Sequence, residues 1–147
     1  MTADRVFSLG HGARSPETFY RLLAAWGIRR LVDVRRFPRS RRHPHFSRDA
    51  LEPGCASHAV EYVWMGDLLG GFREGGYEAH LATGEFARGL ERLEQLARER
   101  PTAFLCAERD PARCHRRFIA RELERRGWEV VHVIDATTTT ATQGELW

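Results

Sequence analysis

The chain has 147 residues, 23 basic and 20 acidic, with a formal charge of +3, and it contains no lysine, so every strongly basic side chain is an arginine. That length suits one domain with a real core, and the missing lysine excludes a Gly-Lys-Ser/Thr loop and P-loop ATP hydrolysis with it. No apolar run approaches the ~20 residues of a membrane span, Arg5, His11 and Arg14 interrupt any leader-like stretch, and three cysteines are too few for a disulfide framework, so a cytoplasmic protein with no membrane contact is expected.

Residues 6–9 read as a short apolar strand ending at Gly10-His11-Gly12. Ser15-Pro16-Glu17 then opens a helix, because serine caps free N–H groups and proline is tolerated at the first helical position. Phe19, Leu22, Leu23 and Trp26 recur at helical spacing until Gly27 closes it. Residues 31–34 form a second strand, followed by an arginine-rich loop with Pro38 and Pro44. Ser47 caps a brief helix around residues 49–51 that Pro53-Gly54 stops early. Residues 61–65 form a third strand, and the glycine-rich stretch 66–76 is a loop. A long helix over 77–100 carries Phe86, Leu90, Leu93 and Ala97 on one face, with a break near Thr83-Gly84. Residues 102–106 are a fourth, buried strand. Asp110-Pro111 starts a helix reaching Arg126, with Phe118, Ile119 and Leu123 inward, and 130–134 is the last strand.

Strands alternating with helices predict a three-layer α/β/α domain over residues 1–135, built on a mostly parallel sheet of about five strands. The threonine-rich residues 136–147 read as a flexible tail. In such a sheet the strand carboxyl ends share one edge, where ligands bind. That edge collects His11, Arg14, Asp33, Arg35, Cys106 and Glu108.

Glu108 lies two residues beyond Cys106, where a partly dry carboxylate works as acid or base or accepts hydrogen bonds from an exocyclic amine; an ion pair with Arg109 or Arg113 is the structural alternative. Asp33 and Arg35 share a strand face, so Asp33 either orients a substrate-binding Arg35 or serves as a second carboxylate beside Glu108. Cys106, before a helix, is a candidate nucleophile, or simply core. The position six after it, where cysteine phosphatases carry arginine, is Ala112, with Arg113 one later. His115 binds substrate or ties down the loop after the first strand. Cys114 and His115, about 100° apart on a helix, make a zinc site with Cys106 and His11 awkward; no metal or cofactor is expected. Gly10-His11-Gly12 allows close backbone approach and is no dinucleotide fingerprint. Arg35, Arg36, Arg39, Arg41 and Arg42 fall within eight residues, mixed with Phe37, His43, His45 and Phe46. Arginines track phosphates and aromatics stack on bases, and Arg113 and Arg116 add to the positive charge.

Gly10-His11-Gly12-x-Arg14, Leu31-Val32-Asp33-Val34-Arg35 with Phe37-Pro38-Arg39-Ser40, Leu69-Gly70-Gly71-Phe72, and Cys106-Ala107-Glu108 followed by Cys114-His115-Arg116 recur here as a set. Together they resemble the bacterial and archaeal domain-of-unknown-function family 488 over about residues 5–135. The resemblance implies an α/β fold and a shared site built from those motifs. The stretch between Gly71 and Tyr77 is shorter than the family pattern, which implies a trimmed lid.

The expected function is an enzyme on nucleic acid or a nucleotide, of base-excision or hydrolase type. Glu108, with Asp33, does the acid/base work, and His11, Arg14, Arg35, Arg39, Arg41, Arg113, His115 and Arg116 hold substrate. The partner is then DNA, RNA or a nucleotide. A thiol, sulfur- or phosphoryl-transfer enzyme using Cys106, and a non-catalytic nucleotide- or RNA-binding module, are the alternatives.

Overall fold

Five runs of mostly apolar residues become the strands β1 (Arg5–Gly10), β2 (Arg30–Asp33), β3 (Glu61–Trp64), β4 (Thr102–Cys106) and β5 (Glu129–Val133). They pair in the order β3-β2-β4-β1-β5, every neighbour parallel. The computed structural model describes residues 4–71, 73–110 and 114–135. Pro111, Arg113 and the tail expected over 136–147 lie outside the described residues.

The period of two along each strand sorts neighbours to opposite faces. Phe7, Leu9, Leu31, Ala103 and Leu105 face Phe19, Leu22 and Leu23 of α1 (Pro16–Ala25) and Leu51 and Cys55 of α2 (Arg48–Ser57). On the other face, Val6, Val32, Phe104 and Val130 meet Leu69 of α3 (Gly66–Leu69), Leu90 and Leu93 of α5 (Gly84–Glu99), and Ile119 and Leu123 of α6 (Arg116–Arg125). Three layers result, as expected, with helices covering both faces of an all-parallel sheet. No helix among the described residues is long and apolar enough to cross a membrane.

Local chemistry explains most element ends. Ser15 Oγ accepts the Thr18 N–H at 3.1 Å with Pro16 at the first helical position. The break near Thr83-Gly84 is real: α4 (Tyr77–His80) stops, and Thr83 Oγ1 caps α5 by accepting the Phe86 N–H at 3.2 Å.

Three expectations fail. α2 runs straight through Pro53 and Gly54. Leu51 and Cys55, four apart, are both fully buried, and the ring of Pro53 points outward, so the packed stripe outweighs one missing N–H. The glycine-rich loop contains the helical turn α3, because Leu69 is fully buried. The last helix does not run unbroken to Arg126 from before Cys114: α6 starts at Arg116, with Cys114 and His115 in the bend and turn before it, and the start expected at Pro111 lies outside the described residues.

Just past α2, Ala59 adopts φ +59°. A Cβ is strained there, and glycine is the usual residue. Ala59→Gly is expected to stabilise the fold by about 0.5–1 kcal/mol, read as a higher urea midpoint at unchanged slope.

Candidate functional site

The carboxyl ends of β1, β2 and β4 open on a cavity of about 560 Å³. His11 follows β1, Arg35 and Arg36 follow β2, and Cys106, Ala107 and Glu108 follow or end β4. Tyr77, Cys114 and His115 close it from the other helical layer. The first and third of these segments are fused by backbone bonds. His11 N–H donates to Cys106 O and Gly12 N–H to Ala107 O, each at 3.0 Å. Gly10 allows the approach, since a Cβ there would stand 1.8 Å from Glu108 O.

Arg116 organises the floor. It is wholly buried and its guanidinium is used internally. Nε donates to Cys106 Sγ at 3.0 Å, Nη1 to Ser8 Oγ at 2.6 Å, and Nη2 to the carbonyls of Glu108 at 2.8 Å and Arg109 at 3.3 Å. Its backbone N–H also reaches Cys114 Sγ at 3.5 Å. The two thiols respond in opposite senses. Cys114 is pulled down to about 4, first by its hydrogen bond with Cys106 and then, against burial, by His115 and Arg116. Burial, and then the bond to Cys114, push Cys106 well above its usual value. The two sulfurs and the Arg116 donors thus form one buried group in which the hydrogen bonds favour negative charge on sulfur and burial opposes it.

His115 completes this group. Its Nε2 donates to the Val34 carbonyl at 3.1 Å, which turns Nδ1 toward Cys114 Sγ at 3.7 Å. The assumption of helical spacing between Cys114 and His115 therefore fails, because both precede α6. Among the described residues no set of three or more His, Cys, Asp or Glu side chains converges as a metal site.

The remaining expected residues divide by placement. His11 is buried against the cavity, its ring stacked on Phe46 at 4.5 Å. Its Nδ1 donates to Gly12 O at 2.9 Å, and Nε2 is buried without a partner. Arg35 lines the cavity, gripped from beneath by Asp33 with contacts of 2.8 and 2.7 Å. Burial disfavours the Arg35 charge, but Asp33 more than offsets this and raises its pKa. Asp33 itself is fully buried, accepts a further bond from Tyr62 Oη, and does not line the cavity. It orients Arg35 and is not brought beside Glu108 as a second carboxylate. Glu108 stands exposed at the rim, its carboxylate accepting the Asp110 N–H at 3.2 Å. Arg14 and Arg116 point inward: Arg14 donates to the carbonyls of Gly10, His11 and Ile134. Arg39 lines the cavity, whereas Arg41 is exposed on the loop beyond it. Arg113 lies outside the described residues.

Spacing alone does not pick out Cys114 or Tyr77 as cavity residues. Tyr77 begins α4, and its hydroxyl donates to Leu69 O at 2.8 Å. The available signal was the bulky ring just after a glycine-rich stretch.

Two buried histidines give the site a pH limit. His11 and His132 are each held down to about 4, mainly by burial and partly by Arg35 and Arg116 respectively. The unfolded chain binds those protons more readily, so their contribution to stability is complete above pH 6.5 and is lost as pH falls toward 4. Urea midpoints are expected to drop between pH 7 and pH 4.5; equal midpoints would mean the imidazoles protonate freely in the fold.

No curated protein matches the chain, and no solved structure does. A family model described as "Domain of unknown function DUF488" matches residues 15–123, which include β2, β4 and the thiol, imidazole and arginine residues after β4. On that match, which spans most of the chain, the protein belongs to the DUF488 family.

Proposed function

We propose that this protein is a thiol-dependent group-transfer enzyme acting on a nucleotide or nucleic acid, with Cys114 as the attacking thiolate. One observation carries the reading. Arg116 is fully buried, and among the described residues no carboxylate pairs with it. A guanidinium stays protonated, and a buried charge without a counter-charge is costly. Ser8 is neutral, so the negative charge belongs on the thiol pair.

The surroundings suit a nucleophile. His115 faces Cys114 and is oriented in turn by a carbonyl, the nucleophile–base–orienter logic of covalent catalysis. Arg35, Arg36 and Arg39 line the same cavity and supply planar donors for phosphate. With Ala120, not an arginine, six residues after Cys114, these side chains from the loop after β2 would meet the anion.

Iodoacetamide labelling at pH 6, mapped by mass spectrometry, tests this. An ordinary thiol is under about 1% ionised there. Cys114 is expected to label at least ~10-fold faster than Cys55, and nucleoside monophosphates are expected to slow it. Equal labelling of Cys114 and Cys55 rejects the reading.

A second reading keeps Glu108 as acid or base on a base or sugar bond. It is favoured by the position of the Glu108 carboxylate on the cavity rim, oriented by Asp110. Glu108→Gln removes turnover on this reading and Cys114→Ser does not; the thiol reading predicts the reverse.

A further inference from the structure

Building on the thiol reading, we propose that the substrate is a single-stranded polynucleotide. The reacting nucleotide enters the cavity floored by Cys106 and Cys114, its neighbour occupies an adjoining cavity, and Phe37 stands between them. The second cavity, of about 470 Å³, is lined by Phe37, Pro38, Arg39, Ser47, Arg48 and Asp49. Phe37 and Arg39 line both cavities, so the two meet along this ridge. Phe37 is 64% exposed, the one large hydrophobic side chain so exposed among the described residues. A single exposed phenylalanine is unremarkable on most surfaces. Here it separates two cavities, each with its own arginines.

The arginines are arranged around aromatic rings. The Arg36 guanidinium lies 5.8 Å from the centroid of Phe37, and that of Arg48 lies 5.4 Å from Trp64 and 5.8 Å from Tyr62. Arg36 offers a cation for phosphate in the first cavity and Arg48, held over Tyr62 and Trp64 outside the lining, offers one in the second, while Phe37 is the aromatic ring that both cavities share. Asp49 on the second cavity, and Glu52 at 3.6 Å from Arg48, temper the charge there. A bare polyanion is therefore a poorer fit than a strand with bases to stack.

The ledge is built rather than floppy. Arg48 N–H donates to Pro38 O at 2.8 Å, Ser40 N–H to Ser47 Oγ at 2.9 Å and His43 N–H to Ser40 Oγ at 3.0 Å, while Phe46 is buried as an anchor. Preorganisation of this kind lowers the ordering cost of binding. A paired base hides its faces in the duplex stack and cannot reach Cys114, which is only 9% exposed.

The test is fluorescence-anisotropy titration with labelled thymidine and uridine oligonucleotides of one, two and four residues, and a duplex, at ~50 and ~200 mM salt, with inorganic polyphosphate as competitor. Affinity is expected to rise about tenfold or more from one residue to two, and single strands to bind better than duplex. Phe37→Ala is expected to weaken binding of the four-residue strand roughly 5- to 100-fold and flatten the length dependence, while Phe37→Trp restores it. Equal binding by Phe37→Ala, or displacement by polyphosphate as readily as by strand, overturns the proposal. Labelling of Cys114 without nucleic acid separates the two ideas. Fast labelling with a flat length dependence overturns the strand alone, and slow labelling overturns the thiol reading even where strands bind.

Discussion

Replacing Arg116 by leucine is expected to lower stability by about 3–5 kcal/mol and, on the thiol reading, to slow the labelling of Cys114 at pH 6. The substitution removes donors to Cys106 Sγ, Ser8 Oγ and the carbonyls of Glu108 and Arg109 together. Those acceptors stay buried and lose their partners, which is the costly half of any hydrogen bond. On the thiol reading Cys114 also loses a nearby positive charge, so its reactivity should move toward that of an ordinary thiol. Arg116→Lys separates the two effects. It keeps a charge but cannot span four acceptors, so low-pH labelling should survive in part while stability still falls. Urea unfolding and labelling rates read the two losses independently. Stability near wild type in Arg116→Leu would show that the guanidinium is not needed as a brace, and labelling at full rate would assign the thiolate to Cys106 and His115 without Arg116.

Asp33→Ala should have a comparable cost, about 3–5 kcal/mol, for a different reason. Asp33 is fully buried at the end of β2 and Arg35 is 7% exposed, so the cation has little water to turn to. Arg35 Nε and Nη2 lose contacts of 2.8 and 2.7 Å, and Tyr62 Oη loses its acceptor. Removing one member of such a pair costs far more than removing both. The double variant Asp33→Ala with Arg35→Leu is therefore expected to regain part of the loss, a coupling that a double-mutant cycle measures. The two readouts also separate roles. Restored stability without restored nucleotide binding would mark Arg35 as the ligand contact and Asp33 as its positioning residue. A single Asp33→Ala variant within about 1 kcal/mol of wild type would mean that Arg35 escapes to solvent.

The fold was legible wherever the signal was local or periodic. Ser15-Pro16, Thr83-Gly84 and Gly127 punctuate helices through cap and turn chemistry, and the strand runs announce themselves by apolar side chains. Pro53 misleads because proline's effect is local, whereas the burial of Leu51 and Cys55 that overrides it is tertiary. The same holds for Leu69, whose burial draws a helical turn out of a glycine-rich stretch. At the site, four of the six residues expected along the strand ends, His11, Arg35, Cys106 and Glu108, line one cavity, and Arg14 and Asp33 do not. Direction was not legible. Nothing in the order of Arg14, Arg113 and Arg116 says that Arg14 and Arg116 turn inward onto carbonyls. Nor does spacing show that Cys114 and His115 meet, since that depends on where α6 begins.

The position of β4 between β1 and β2 governs when, as well as where, the site comes into being. Phe7 is in register with Ala103 and Arg5 with Glu129, so the centre of the sheet joins the two ends of the sequence. Contacts so distant along the chain form slowly, because loop closure must precede any gain from pairing. Until then the contacts of Arg116 with Cys106 and Cys114 are not made. Of the five strands, β2 and β3 can pair early, whereas β1 has its partners only in β4 and β5, which follow all the others in the sequence. On the thiol reading, labelling at low pH becomes a clock for sheet closure: refolding followed by pulse labelling should show Cys114 turning reactive as β4 inserts, and no earlier.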